Sequence, residues 1–288
     1  MTWTLSAFAD EAGSGADDQV AALHRAGIKH VDLRKAEGHN VATLPMDLAE
    51  RVKQKLDAGG ITVAMFGSPL GKIDIADDVQ SDLDKLDHLG KLADLFGCRD
   101  VRMFSYYNKH DAPKAKWQIE SFDRMRRLRD HAGKLGLVLY HENEKGIFGD
   151  RCPEIELMAA ELRDGNTFRL IFDFDNFNQS DDDVWDNWQR LHNVTDAFHL
   201  KDSNTDNQHV PVGQGNGQIL RILTDAAERG WSGPLSLEPH LKRSLAVLDT
   251  NPHGKTHQAF ADMSPADTFQ TAAEAAIELI GQIKGVGI

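Results

Sequence analysis

Short apolar runs alternate with longer amphipathic stretches along the whole chain. Runs of about five residues bounded by polar ones predict buried strands. They fall at 5–9, 30–33, 61–66, 100–104, 137–141, 168–172, 194–199 and 235–238. Stretches with helical spacing lie between them, at roughly 16–26, 45–58, 78–96, 114–134, 153–163, 183–191, 216–229 and 265–284. Strands that alternate with helices in this way form a parallel sheet with the helices outside it.

The junctions carry matching punctuation. Gly27, Gly60, Gly97, Gly136 and Gly230 each stand after a predicted helix and before a strand, where a left-handed residue ends a helix. Pro113 and Pro153 suit a first helical turn, and Ser264-Pro265 with Asp267 reads as a cap plus first turn. The chain has 288 residues, and an eight-unit barrel commonly takes about 250. We therefore expect an α/β protein, a single (β/α)8 TIM barrel over 1–288, with a loop insertion at about 241–264 after the eighth strand. That insertion holds Lys242, Arg243, His253, Lys255 and His257 without periodicity, and reads as a lid over the barrel mouth or a partner-binding loop.

Composition narrows the classes. A formal charge of −13 disfavours a polyanionic partner, so no nucleic acid is expected. Cys98 and Cys152 fit no metal or redox spacing, and the plain reading is a reduced, cytoplasmic protein. The first eight residues are too short and polar for a secretory leader, and no run of about 18 apolar residues predicts a membrane span.

The chemistry lies at strand ends. Glu142, Asp173, His199 and Glu238 each close an apolar run. In a parallel barrel such residues point into one mouth, so these four can converge despite their separation in sequence. Three carboxylates and an imidazole form a ligand set for a divalent metal. Each has a plainer reading: Glu142 and Glu238 could pair with Lys145 and His240 at the rim, and His199 could be a core histidine. Asp181-Asp182-Asp183 reads as a solvated helix start.

The segments His141-Glu142-Asn143, Phe172-Asp173-Phe174-Asp175-Asn176, His199-Leu200-Lys201-Asp202, Val212-Gly213-Gln214-Gly215 and Leu237-Glu238-Pro239-His240 resemble the xylose isomerase-like barrel superfamily, and within it the sugar (phosphate) isomerase/epimerase group. The resemblance spans nearly the whole chain. It implies one divalent metal, Mn²⁺ or Mg²⁺ first and Co²⁺ or Zn²⁺ next, on Glu142, Asp173, His199 and Glu238. It also implies that Glu142 and Glu238 are the catalytic acid/base pair. This sequence departs from the family pattern at Asn176, where the family often has histidine, and at Glu144, a second acid two residues after Glu142. His39, His110, His192 and His209 do not fit the extra metal sites of the related endonucleases. Relatives are often oligomers, so a homo-oligomer is possible.

Further substrate-binding candidates come from the remaining strand ends: Glu11, Phe66, Arg102, His141, Lys145, Asn176, Lys201 and His240. Arg102 could equally pair with Glu142, and Tyr106 could equally be packing. Gly67 suits close approach by a ligand. The run Gly213-Gln214-Gly215-Asn216-Gly217 is either a tight turn or a phosphate cradle, the second testable by a sulfate or phosphate on its amides.

The expected reaction is isomerisation or epimerisation of a ketose, keto-sugar or sugar phosphate through an enediolate. Such chemistry needs a Lewis acid at the oxygens and a base at the carbon. The alternative is a dehydratase/lyase on a keto-inositol or 3-keto-sugar. An endonuclease acting on abasic DNA and a non-catalytic sugar-binding barrel are the remaining rivals.

Overall fold

The structure is a computed structural model and describes residues 2–180, 182–242, 247 and 255–288. Eight strands form the barrel: β1 Thr4–Ala7, β2 His30–Leu33, β3 Thr62–Leu70, β4 Asp100–Met103, β5 Val138–Glu142, β6 Phe168–Asp173, β7 Ala197–Leu200 and β8 Pro234–Leu237. Each pairs with its sequence neighbours, and β8 closes on β1. Every pairing is parallel, and Ser6 lies opposite Ser236 at the closure.

The outer helices are α1 Ala16–Ala26, α2 Met46–Ala58, α3 Gln80–Phe96, α4 Lys114–Lys134, α5 Cys152–Glu161, α6 Val184–Leu191, α7 Ile219–Glu228 and α8 Pro265–Gly281. Gly27 and Gly97 end α1 and α3 in the left-handed conformation, at φ 72° and 71°. Ser264 caps α8 through the Asp267 N–H. The expected fold is observed, with boundaries moved by a few residues. β3 runs on to Leu70 because the Phe104 N–H extends the ladder to the Leu70 carbonyl. β7 starts at Ala197, because Val194 and Thr195 still bond back to Leu191.

Alternation along the strands sorts the two faces. Tyr140, Ile171 and Ala197, each two residues before a mouth residue, form a small apolar cluster with Met65. The opposite faces join the large core beneath the helices. The insertion after β8 is described only in part: Arg243 and His253 lie outside the described residues. Lys255–Thr256 pairs with Gln208–Val210, which pairs with Asp202–Ser203, giving a three-stranded sheet at the rim. Lys242 donates to the carbonyls of Ala261 and Met263. Among the described residues, no helix is long and apolar enough to cross a membrane.

Candidate active site

Glu142 ends β5, Asp173 ends β6, His199 lies in β7, and Glu238 follows β8. The parallel register sets Asp173 beside His199 and His199 beside Ser236. One ligand-type atom from each of the four lies within 4.8 Å of the others, and all four residues are buried. His199 Nδ1 is 2.9 Å from Glu142 Oε1 and 3.9 Å from Glu238 Oε2.

Three permanent cations share this space. Arg102 reaches Glu142 at 3.1 Å and Glu238 at 3.3 Å. Lys201 Nζ lies 3.1 Å from Asp173 Oδ2 and 3.4 Å from Glu238 Oε2. Arg34 binds Asp10 with two N–H groups at 2.8 and 2.9 Å, and reaches Glu238 at 2.8 Å and Glu11 at 3.3 Å. Both guanidinium groups lie over the Phe8 ring, each 4.8 Å from its centroid.

Burial pushes the Glu142 carboxyl towards neutrality, but His199 and Arg102 outweigh it and hold the acid below its usual range. Burial acts likewise on Glu238, where the charges of Lys201 and Arg102 keep it well below. At Asp173 burial wins: Lys201 offsets it only in part, the charges of Glu142 and Glu238 add to it, and the pKa is well raised. His240 is pushed down to about 3 by burial, so its ring is neutral.

The residues fit a divalent cation. Asp173 Oδ2 and His199 Nε2 are buried and make no hydrogen bond. Five carboxylates (Asp10, Glu11, Glu142, Asp173 and Glu238) face three permanent cations (Arg34, Arg102 and Lys201), which leaves about two negative charges when all are ionised. Uncompensated charge of that size is costly in a buried site. Burial raises the pKa of Glu11 to about 8 and that of Asp173 well above its usual range, so protons offset that charge; a divalent ion would replace them and be held by Asp173 Oδ2 and His199 Nε2.

Other candidates divide. Asn176 is at the site: its N–H bonds Asp173 Oδ1 at 2.7 Å, and its amide reaches the Asn143 carbonyl at 2.8 Å and Glu142 Oε1 at 3.4 Å. Glu11 is also there, accepting the His240 backbone N–H at 2.8 Å. Phe66 is not; it faces the helices and packs edge-on against Phe96 of α3. His141 lies on the same outer side, stacked on Phe168, and a Cβ on Gly149 would meet both it and Met158 of α5. Lys145 donates to the Gln179 carbonyl away from the cluster. Tyr106 is packing, buried beneath the guanidinium of Arg124.

The structure decides two glycine readings, against a ligand at Gly67 and for the tight turn at 213–217. At Gly67 it is Phe8 and Arg34 that approach, to 2.6 and 2.9 Å of where a Cβ would be. The amides of Gly213, Gly215 and Gly217 already donate to the Asp202 carboxylate, at 3.0, 2.9 and 2.9 Å. The turn is a nest, but its anion is part of the chain, and no phosphate reading survives there.

Sequence reasoning missed Arg34, Asp10 and the pairing of His209 with Asp175, whose Nδ1 and Oδ2 are 3.3 Å apart. Arg34 directly follows β2, so the rule that found Glu142 and Glu238 finds it too once cations at strand ends are counted.

Comparison with known proteins agrees with the fold. No curated protein matches the chain in sequence. Among solved structures, a D-psicose 3-epimerase studied with D-fructose superposes with TM-score 0.73 at 14% identity, covering 98% of this chain and 100% of that one. A probable 3-DHS dehydratase of petrobactin synthesis from Bacillus anthracis gives 0.70 at 17%, covering 96% and 98%. A magnesium-bound xylose isomerase-like barrel protein from Mycobacterium smegmatis gives 0.66 at 17%, covering 94% and 97%. Residues 20–262 match the family described as xylose isomerase-like TIM barrel, and with the closed eight-stranded barrel this makes the chain a member of that family.

Proposed function

We propose that the protein is a metal-dependent isomerase or epimerase of a ketose or keto-sugar that works through an enediolate. The observation that carries this reading is the buried convergence of Glu142, Asp173, His199 and Glu238, with Asp173 Oδ2 and His199 Nε2 lacking hydrogen bonds. These four would hold a divalent ion, Mn²⁺, Mg²⁺ or Zn²⁺ by the chemistry of the donors. When bound, it would act as a Lewis acid on the substrate's oxygens and make the neighbouring C–H acidic enough to ionise.

The protein's own groups do the rest. Glu142 and Glu238 are held ionised by Arg102 and their other cationic neighbours, so each enters as a base. They approach from β5 and β8, three strands apart around the barrel. One takes the carbon-bound proton and the other returns one to the opposite face. Arg102 bridges them and fixes their separation. Arg34 shares Glu238 Oε1 with Arg102, and Lys201 holds Oε2.

Dehydration is the second reading. The Lys201 ammonium, 3.1 Å from Asp173 and 3.4 Å from Glu238, would steady a departing hydroxyl by a charge-assisted hydrogen bond, while the carboxylate that took the carbon-bound proton delivers it to that oxygen. A product lighter by one water would select it.

The test is metal analysis of the purified protein beside His199→Ala and Glu238→Gln, followed by a keto-sugar panel in deuterated water. Near-stoichiometric metal in the parent, its loss in His199→Ala, and exchange of one carbon-bound proton are expected. A parent that takes up no divalent metal on reconstitution would sink the proposal.

A further inference from the structure

We propose that His240 is a hydroxyl-binding residue of the mouth, and that His209 and Asp175 are positioning residues that hold it; the proposal rests on the sugar-processing reading above. His240 follows Pro239 at the exit of β8, with φ 52°. A side chain in the left-handed region is strained and persists only where its surroundings enforce it. Here Glu11 enforces it, by accepting the His240 backbone N–H at 2.8 Å. The strained turn sets the ring beside Glu11 and Glu238.

The ring is 3% exposed, and neither nitrogen makes a hydrogen bond. Glu11 Oε1 and Glu238 Oε1 stand 3.5 and 3.6 Å from Nε2, too far or too poorly aligned to serve. A neutral imidazole carries one donor and one acceptor. Leaving each unmet in a buried site carries its full desolvation cost. A hydroxyl group, itself donor and acceptor, meets either need.

The ring is also held from behind. His209, on the rim strand Gln208–Val210, packs edge-on against it with centroids 5.3 Å apart. His209 Nδ1 lies 3.3 Å from Asp175 Oδ2. Asp175 is fixed in turn by the Ser203 hydroxyl and by the Gln179 amide at 2.6 Å. A continuous buried stack thus runs from the one-turn helix Phe174–Asn178 after β6 to the ring beside Glu238. The substrate class it fits is a polyhydroxylated molecule with a hydroxyl close to the carbon that Glu238 serves.

Polyols have the hydroxyls without the reacting carbonyl, so they test this subsite apart from the chemistry. The metal-loaded full chain would be titrated calorimetrically with xylitol, sorbitol and myo-inositol. At least one is expected to bind. His240→Ala should weaken it about tenfold, the worth of one hydrogen bond. His240→Gln, which keeps a donor and an acceptor, should retain most of the affinity. His209→Phe should weaken binding at unchanged metal content. If no polyol in the panel binds, or His240→Ala binds like the parent, the proposal is overturned. Loss of proton exchange on keto-sugars with polyol binding intact would instead overturn the reaction and leave the subsite standing.

Discussion

Asp202 and Asp173 are the same residue type, 1% and 0% exposed, at the mouth of the same barrel, and their surroundings are opposite. Asp202 takes three backbone N–H groups from the glycine turn, and a Cβ on Gly215 would sit 2.3 Å from its Oδ1. The chain has closed around it. Asp173 spends one oxygen on the Asn176 N–H, while the other faces Lys201 at 3.1 Å and accepts no hydrogen bond. Buried polar groups in a finished structure are satisfied. A satisfied buried carboxylate is architecture, and an unsatisfied one among like charges marks where a ligand supplies what the chain does not.

Substitution separates the two most strongly at the ligand cluster. His199→Ala should abolish stoichiometric metal binding, and Glu238→Gln should lower proton exchange by about 10³-fold, within the usual range for removing a positioned acid/base. Asp173→Asn should shed metal too, yet shift the melting temperature of the chelated protein by only a few degrees. Asp202→Asn should do the reverse. It sets an amide against backbone N–H groups in a closed nest, so a loss of about 2–3 kcal/mol is expected, or about 5 °C in melting temperature for a chain of this size, with metal content unchanged. Plasma emission spectrometry and thermal unfolding on the same samples check both. If Asp202→Asn loses metal while its melting point holds, the distinction fails.

The same comparison shows what could be read from sequence. Strand-end acids were legible because a parallel barrel sends every strand's C-terminal end to one mouth, so that order along the chain alone assembles Glu142, Asp173, His199 and Glu238. The role of the glycine run was not legible. Its amides are built to bind an anion, and only the fold reveals that Asp202, eleven to fifteen residues earlier, is that anion. His209 and Asp175 meet through the rim sheet, a pairing no spacing announces. Phe66 and His141 are different, since the signal was present: neighbours on a strand point to opposite faces, so if Glu142 faces inward His141 cannot.

A third carboxylate sets the lower bound of the contrast. Asp164 is exposed, and it accepts the backbone N–H groups of Asn166, Thr167 and Phe168 at 2.9, 2.7 and 3.0 Å and the Thr167 hydroxyl at 2.6 Å. Partial burial works to raise its pKa, but the Thr167 hydroxyl and the N–H groups outweigh it and hold the acid below its ordinary value. The folded state therefore binds its proton later than the unfolded chain does. The stabilisation is fully present above the unfolded pKa, about 4, and is lost as pH falls through the lower folded value. Solvent competes for this turn, so Asp164→Ala should cost only about 1 kcal/mol at neutral pH. The melting-temperature gap between parent and variant should shrink as the pH is lowered from 7 to 3. A gap that stays constant with pH would mean that the carboxylate charge contributes nothing. The turn would then owe its stability to Gly165, at φ 73°, and to the backbone alone.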